Sequence, residues 1–105
     1  MYDEFDIGWS NRAGKDLLKI KAYLLENASE TVAEKVLFRL YNAVEPTRRM
    51  PERFPLEPRL RKQGNFRFIK VWSYKIIYEF TGNQIIVHRV IHSKRDPKKS
   101  LRGIK

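Results

Sequence analysis

Cysteine is absent from this 105-residue chain, which excludes a disulfide framework and any thiolate metal site and gives no reason to expect an oxidising compartment. Glycine is sparse: Gly8, Gly14, Gly64, Gly82 and Gly103 are too scattered to form a phosphate-cradling loop. Histidine is limited to His88 and His92. Four residues apart in a strand, they would stand roughly 13 Å from one another, too far to share one ion. No apolar run approaches the ~20 residues of a membrane span, and the opening MYDEFDIGW is acidic where a signal peptide is cationic and then apolar. These absences lead us to expect a cytoplasmic protein with no metal, no cofactor and no membrane partner.

Acidic residues are nearly missing from the second half. Met1 to Glu57 carries nine Lys/Arg against ten Asp/Glu, a net of −1, whereas Pro58 to Lys105 carries thirteen against two, a net of +11. The whole surplus of the +10 chain therefore sits after Glu57. Such a field attracts polyanions or an acidic protein segment and speeds encounter with them, without specifying a fold. With 42% hydrophobic and 12% aromatic residues the chain is nonetheless too apolar for a disordered basic tail. Its length suits one domain spanning residues 1–105.

Hydrophobic periodicity organises that domain. Phe5, Ile7 and Trp9 alternate with Asp6 and Gly8, the period of a half-buried strand. Ala13, Leu17, Ile20, Leu24 and Ala28 then mark a helical stripe that Ser10 or Asn11 can cap. Asn27–Ser29 interrupts it, and Ser29 can cap a second helix striped by Ala33, Leu37, Leu40 and Val44 and widened by Val36 and Tyr41. So short a connection predicts an antiparallel helix hairpin, ending near Pro46. MPERFPLEPRLRKQGN reads as a loop with solvated cations. Three closely spaced strands follow, Phe66–Trp72, Tyr74–Phe80 and Gln84–His92, the last two joined through Gly82–Asn83. In the middle strand Tyr74, Ile76, Tyr78 and Phe80 share the face expected on the helices, and Lys75, Ile77 and Glu79 point away. In the last strand Ile85, Val87 and Ile91 fall on one face and Ile86 and Val90 on the other, so alternation does not identify its core face. The expected architecture is α+β, in the order β-α-α-β-β-β, with an antiparallel sheet and the N-terminal helix hairpin packed on one face.

Chemistry is left to few residues. His92 stands where the apolar run gives way to SKRDP. An imidazole there can move a proton near neutral pH, and a guanidinium beside it can stabilise a phosphorane-like anion. Arg67, Lys75, His92 and Arg95 would together supply metal-free RNA cleavage if the strands brought them together; otherwise His92 ends a strand and Arg95 pairs with Asp96 or Glu79. His88 reads as an ordinary sheet-surface residue. Phe66, Phe68, Trp72, Tyr74, Tyr78 and Phe80 could stack bases, but period-two aromatics in a sheet beside two helices belong to a core.

Taken in order, these segments resemble the RelE/ParE superfamily of type II toxin–antitoxin toxins over nearly the whole chain. WSNRAGKDLLKIKAYL is similar to the opening strand-to-helix segment, AEKVLFRLYNAVEPTRRMPERFP to the second helix and its exit, and YKIIYEFTGNQIIVHRVIHSKRD to the closing hairpin. The last is the most specific, since its strand, polar turn, "V.RV.H..RD" strand and ending occur together. The resemblance implies the same fold and a plasmid-stabilisation or addiction toxin, neutralised by a cognate antitoxin whose amphipathic segment lies against the helix hairpin or adds a strand. Its ParE-like branch implies binding to DNA gyrase through Lys94, Arg95, Lys98 and Lys99 with no chemistry. Its RelE-like branch implies a ribosome-dependent mRNA endonuclease using Arg67, Lys75, His92 and Arg95. The ending with His92, Arg95 and Asp96 favours the ParE side, and the tail DPKKSLRGIK lacks the tyrosine or histidine of RelE-like nucleases, with Leu101 standing about where that tyrosine would be.

Overall fold

A computed structural model describes residues 4–94 and 101–104. Strand β1 (Asp6–Trp9) leads into helix α1 (Asn11–Asn27), helix α2 (Glu30–Ala43) and strands β2 (Phe66–Val71), β3 (Tyr74–Phe80) and β4 (Gln84–His92). Both helices start where short polar side chains take up free amides: Ser10 accepts from Ala13 N and Ser29 from Val32 N, each at 3.1 Å. After α2, Pro46 opens a 3₁₀ turn, Glu45–Arg48, in place of further α-helix.

The sheet order is β1-β4-β3-β2. It is antiparallel across β2, β3 and β4, as expected, but β1 joins β4 in parallel, with Ile7 opposite Ile85 and Trp9 opposite Val87. The cause is the path after α2, which returns beside the start of β1, where Phe5 N donates to the Arg48 carbonyl at 2.9 Å. Three hairpin-linked strands launched from that end leave β4 running in the direction of β1.

Register also resolves the ambiguity of the last strand. Tyr78 pairs with Val87 and Ile77 with Arg89, so His88 is an extra residue in β4, a bulge. The inward parity flips there: Ile85 and Val87 before the bulge and Val90 after it enter one cluster with Ala13, Leu40, Val44, Ile69, Val71, Ile76 and Tyr78. Ile91 instead joins a second cluster on the opposite face with Leu60, Phe66, Ile77, Leu101 and Ile104. The sheet is thus covered on both faces, by the helices on one and by the loop before β2 and the C-terminal residues on the other.

That loop leaves its own cations Arg53, Arg59, Arg61 and Lys62 exposed, as expected, but it is tied to the sheet. Tyr78 Oη donates to the Pro51 carbonyl at 2.6 Å, Arg67 Nη1 donates to the carbonyls of Glu52 (3.1 Å) and Phe54 (2.7 Å), and Glu57 is buried. Five of the six aromatics expected in the core are buried or half-buried; Trp72 is exposed. It sits with Ser73 in the two-residue turn between β2 and β3 at φ 52°, a left-handed conformation unusual for a bulky side chain, with Arg39 6.0 Å from its ring centre.

Candidate functional site

The end of β4 is held by α1, because β1 is too short to cover it. Beyond Val87 the outer edge of β4 has no strand partner among the described residues, and side chains from the helix start replace one: Ser10 Oγ donates to the His88 carbonyl at 3.0 Å, and Asp16 Oδ2 accepts from Val90 N at 2.9 Å. The Asp16 carboxylate also takes Arg89 Nε at 2.7 Å and Nη2 at 3.0 Å, a bidentate pair from which water is largely excluded.

Beside this lock a cavity of about 420 Å³ opens between α1 and the ends of β3 and β4. Asp16, Lys19, Ile20 and Tyr23 line it from the helix, and Tyr74, Val90, Ile91, His92 and Lys94 from the sheet side. His92 pairs with Tyr74 across the strands, their rings edge-to-face at 5.7 Å. Its Nδ1 accepts the Lys94 amide at 3.2 Å, which places the proton of the neutral ring on Nε2. Burial, and after it the neighbouring Tyr23, holds the Tyr74 phenol above its ordinary value.

Arg67 and Lys75 lie elsewhere. Arg67 is on the face of Ile69 and Val71, near the start of β2, and all three of its guanidinium nitrogens are engaged, with Asn65, Glu52 and Phe54. Lys75 is on the opposite face with Ile77; its ammonium pairs with buried Glu57 and lies 4.4 Å from the Phe68 ring centre. Pairing puts Arg67 opposite Tyr78 and His92 opposite Tyr74, two strands and four residues apart, a separation on the order of 15 Å. Arg67, Lys75 and His92 are therefore not brought together. Arg95, Lys98 and Lys99 lie outside the described residues. Leu101, which the resemblance sets about where RelE-like nucleases carry a tyrosine, is buried against the sheet, and Arg12 Nη1 donates to the Arg102 carbonyl.

His88 is more engaged than a surface residue. Its Nε2 is 2.9 Å from Glu79 Oε1, both side chains are mostly buried, and its ring packs against Phe66 at 5.3 Å. His88 and His92 face opposite sides of the sheet. Among the described residues no three His, Asp or Glu side chains cluster as metal ligands, and no helix is long and apolar enough to cross a membrane.

Sequence reasoning missed Asp16, Arg89, Lys19, Tyr23 and Glu57. The first pair had a signal, an acid set into the α1 stripe between Ala13 and Ile20 and an arginine set into the most apolar strand.

The helix hairpin carries the other open feature. Between α1 and α2 runs a groove lined by Leu17, Leu18, Leu37, Phe38 and Tyr41, with Lys21 at its rim. Leu18 is 66% and Phe38 72% exposed, an apolar surface unusual for a lone soluble domain.

A helix hairpin on a four-stranded sheet with this order is the fold of RelE/ParE superfamily toxins. A solved structure, "Chromosomal ParDE TA system from P. aeruginosa", is similar with a TM-score of 0.73 and 16% identity, covering 88% of this chain and 99% of that one. The family model described as ParE toxin of type II toxin-antitoxin system, parDE, matches residues 7–97. The chain belongs to that family and is a type II toxin–antitoxin toxin. No curated protein sequence matches it.

Proposed function

We propose that this toxin arrests growth by binding DNA gyrase, with no chemistry of its own, and that a cognate antitoxin neutralises it. The observation that carries this reading is the ParE toxin match across residues 7–97. It is supported by the separation of Arg67, Lys75 and His92 and by the engagement of the two cations with other residues. A binder needs a charged surface; a nuclease needs an acid and a base within reach of one phosphodiester. Lys94, Arg95, Lys98 and Lys99 form the proposed target-binding segment. The antitoxin lays an amphipathic segment along the Leu18–Phe38 groove, whose exposed apolar area fits helix-in-groove recognition.

The test pairs a supercoiling assay on purified gyrase with primer extension on a reporter transcript. Expected outcomes are inhibited supercoiling, an induced DNA-damage response, no ribosomal A-site breaks in messenger RNA, and only a modest loss of toxicity in His92→Ala. Transcript breaks that vanish in His92→Ala while gyrase runs normally would make the chain a nuclease, since losing a proton-transfer group lowers rates by ~10²–10⁴. Co-expressing the antitoxin restores growth.

A further inference from the structure

The cavity beside His92 is more than the toxin reading requires. Asp16 brings no net negative charge to it, because Arg89 and the Val90 amide occupy its oxygens. What remains is a set of donors: the ammoniums of Lys19 and Lys94, the Nε2 proton of His92, and the phenols of Tyr23 and Tyr74. Burial and Tyr23 keep the Tyr74 phenol protonated and thus a donor. The rest of the lining is apolar or aromatic: Ile20, Val90 and Ile91 with the side chains of Tyr23 and Tyr74.

We propose that this cavity binds a nucleotide unit, its phosphate between Lys19, Lys94 and His92 and its base against Tyr23 and Tyr74. Two cations and a ring N–H suit a phosphate, and two aromatic side chains beside aliphatic ones suit a base, which every nucleotide offers. Size agrees: about 420 Å³ lies within the roughly 300–1,000 Å³ of small-ligand sites and is far more than one carboxylate fills. The site is on the helix side of the sheet, away from Lys75 and Phe68, and does not depend on the toxin's target.

Calorimetric titration of the purified full-length chain with AMP tests this. We expect saturable one-site binding, with inorganic phosphate and adenosine each at least roughly tenfold weaker because each satisfies half the site. Lys19→Ala and the double variant Lys19→Ala/Lys94→Ala lose roughly tenfold or more in AMP affinity. Both lysines are exposed, so both variants keep the wild-type melting transition. Tyr23→Ala weakens AMP and leaves phosphate unchanged. A 5′-phosphorylated oligodeoxyadenylate that binds more tightly than AMP identifies a nucleic-acid strand as the source, and equal affinity identifies a free nucleotide; either upholds the site. Absence of AMP binding at millimolar concentration overturns it, as does affinity unchanged in the lysine variants. Octaglutamate binding more tightly than AMP, and lost in the same variants, overturns it in favour of an acidic peptide. Lys19→Ala leaves gyrase inhibition intact, so failure of this site and failure of the gyrase reading are separable.

Discussion

Tyr78 shows how one polar atom ties the loop before β2 to the core. Its ring lies in the main cluster, edge-on to Phe54 at 6.3 Å, and its hydroxyl donates to the Pro51 carbonyl at 2.6 Å. Burial above all pushes the phenol up to about 12. Because the folded value exceeds the unfolded value of about 10, the folded state retains a proton that the unfolded chain gives up. Tyr78 thus contributes stability that is complete below about pH 10 and is lost as pH rises through about 12. Tyr78→Phe should be less stable at neutral pH by about 1 kcal/mol, the loss of one buried hydrogen bond. It should also remove this part of the alkaline fall. Urea unfolding of both proteins at several alkaline pH values checks it: the gap between them narrows with pH, and a constant gap would show that the phenol ionises freely in the fold.

At the scale of elements, the junction of α1 with β4 decides the fold's upper half. β1 pairs with β4 only as far as Val87, and Asp16 takes over at Val90 and Arg89. Removing one partner of such a buried pair leaves an uncompensated charge and an unpaired amide, so Asp16→Ala should cost about 3–5 kcal/mol, read as a shift of the urea midpoint at unchanged slope. The double variant Asp16→Leu/Arg89→Met should recover most of that loss; a double as unstable as Asp16→Ala would mean that the Val90 amide, not the arginine, sets the cost. The helices, their serine caps and the three late strands were legible because each is a local pattern, a stripe or alternation bounded by Ser10, Ser29, Pro46 and Gly82. The parallel placement of β1 was not, because it depends on a connection of more than twenty residues between α2 and β2 returning to the start of β1. The His88 bulge hid the core face of β4, since one inserted residue reverses the parity on which alternation depends. The strand pattern continues through Trp72 and so points to the core, whereas pairing stops at Val71 and the chain turns. Of the cavity's lining, His92, Lys94 and, as a ring that could stack bases, Tyr74 were legible in the sequence. Lys19 and Tyr23 come from α1, distant in sequence from β3 and β4, and chain spacing carries no record of that meeting.

Over the whole molecule the charge is divided by position in the chain, net −1 through Glu57 and +11 from Pro58 onward. Three of the thirteen cations in the basic half are engaged in holding the fold: Arg67 fastens the loop, Lys75 meets Glu57, and Arg89 meets Asp16. Lys94 is exposed, and the segment that continues from it carries Arg95, Lys98 and Lys99. Cations held in structural pairs act weakly on a distant partner, because their fields are cancelled within a Debye length of about 8 Å. The long-range field of the molecule should therefore come from the exposed cations Arg59, Arg61, Lys62 and Lys70 together with the segment after β4. Neutralising Lys94, Arg95, Lys98 and Lys99 together should abolish most toxicity while changing stability by only ~0.5 kcal/mol per residue. The loss should lie chiefly in association rate with the target, and the wild-type rate should fall steeply with added salt while that of the variant falls less. Growth assays and stopped-flow association at several ionic strengths measure both. Full toxicity in a folded quadruple variant would move the target-binding surface to the Leu18–Phe38 groove, where recognition is apolar and salt has little effect on its rate.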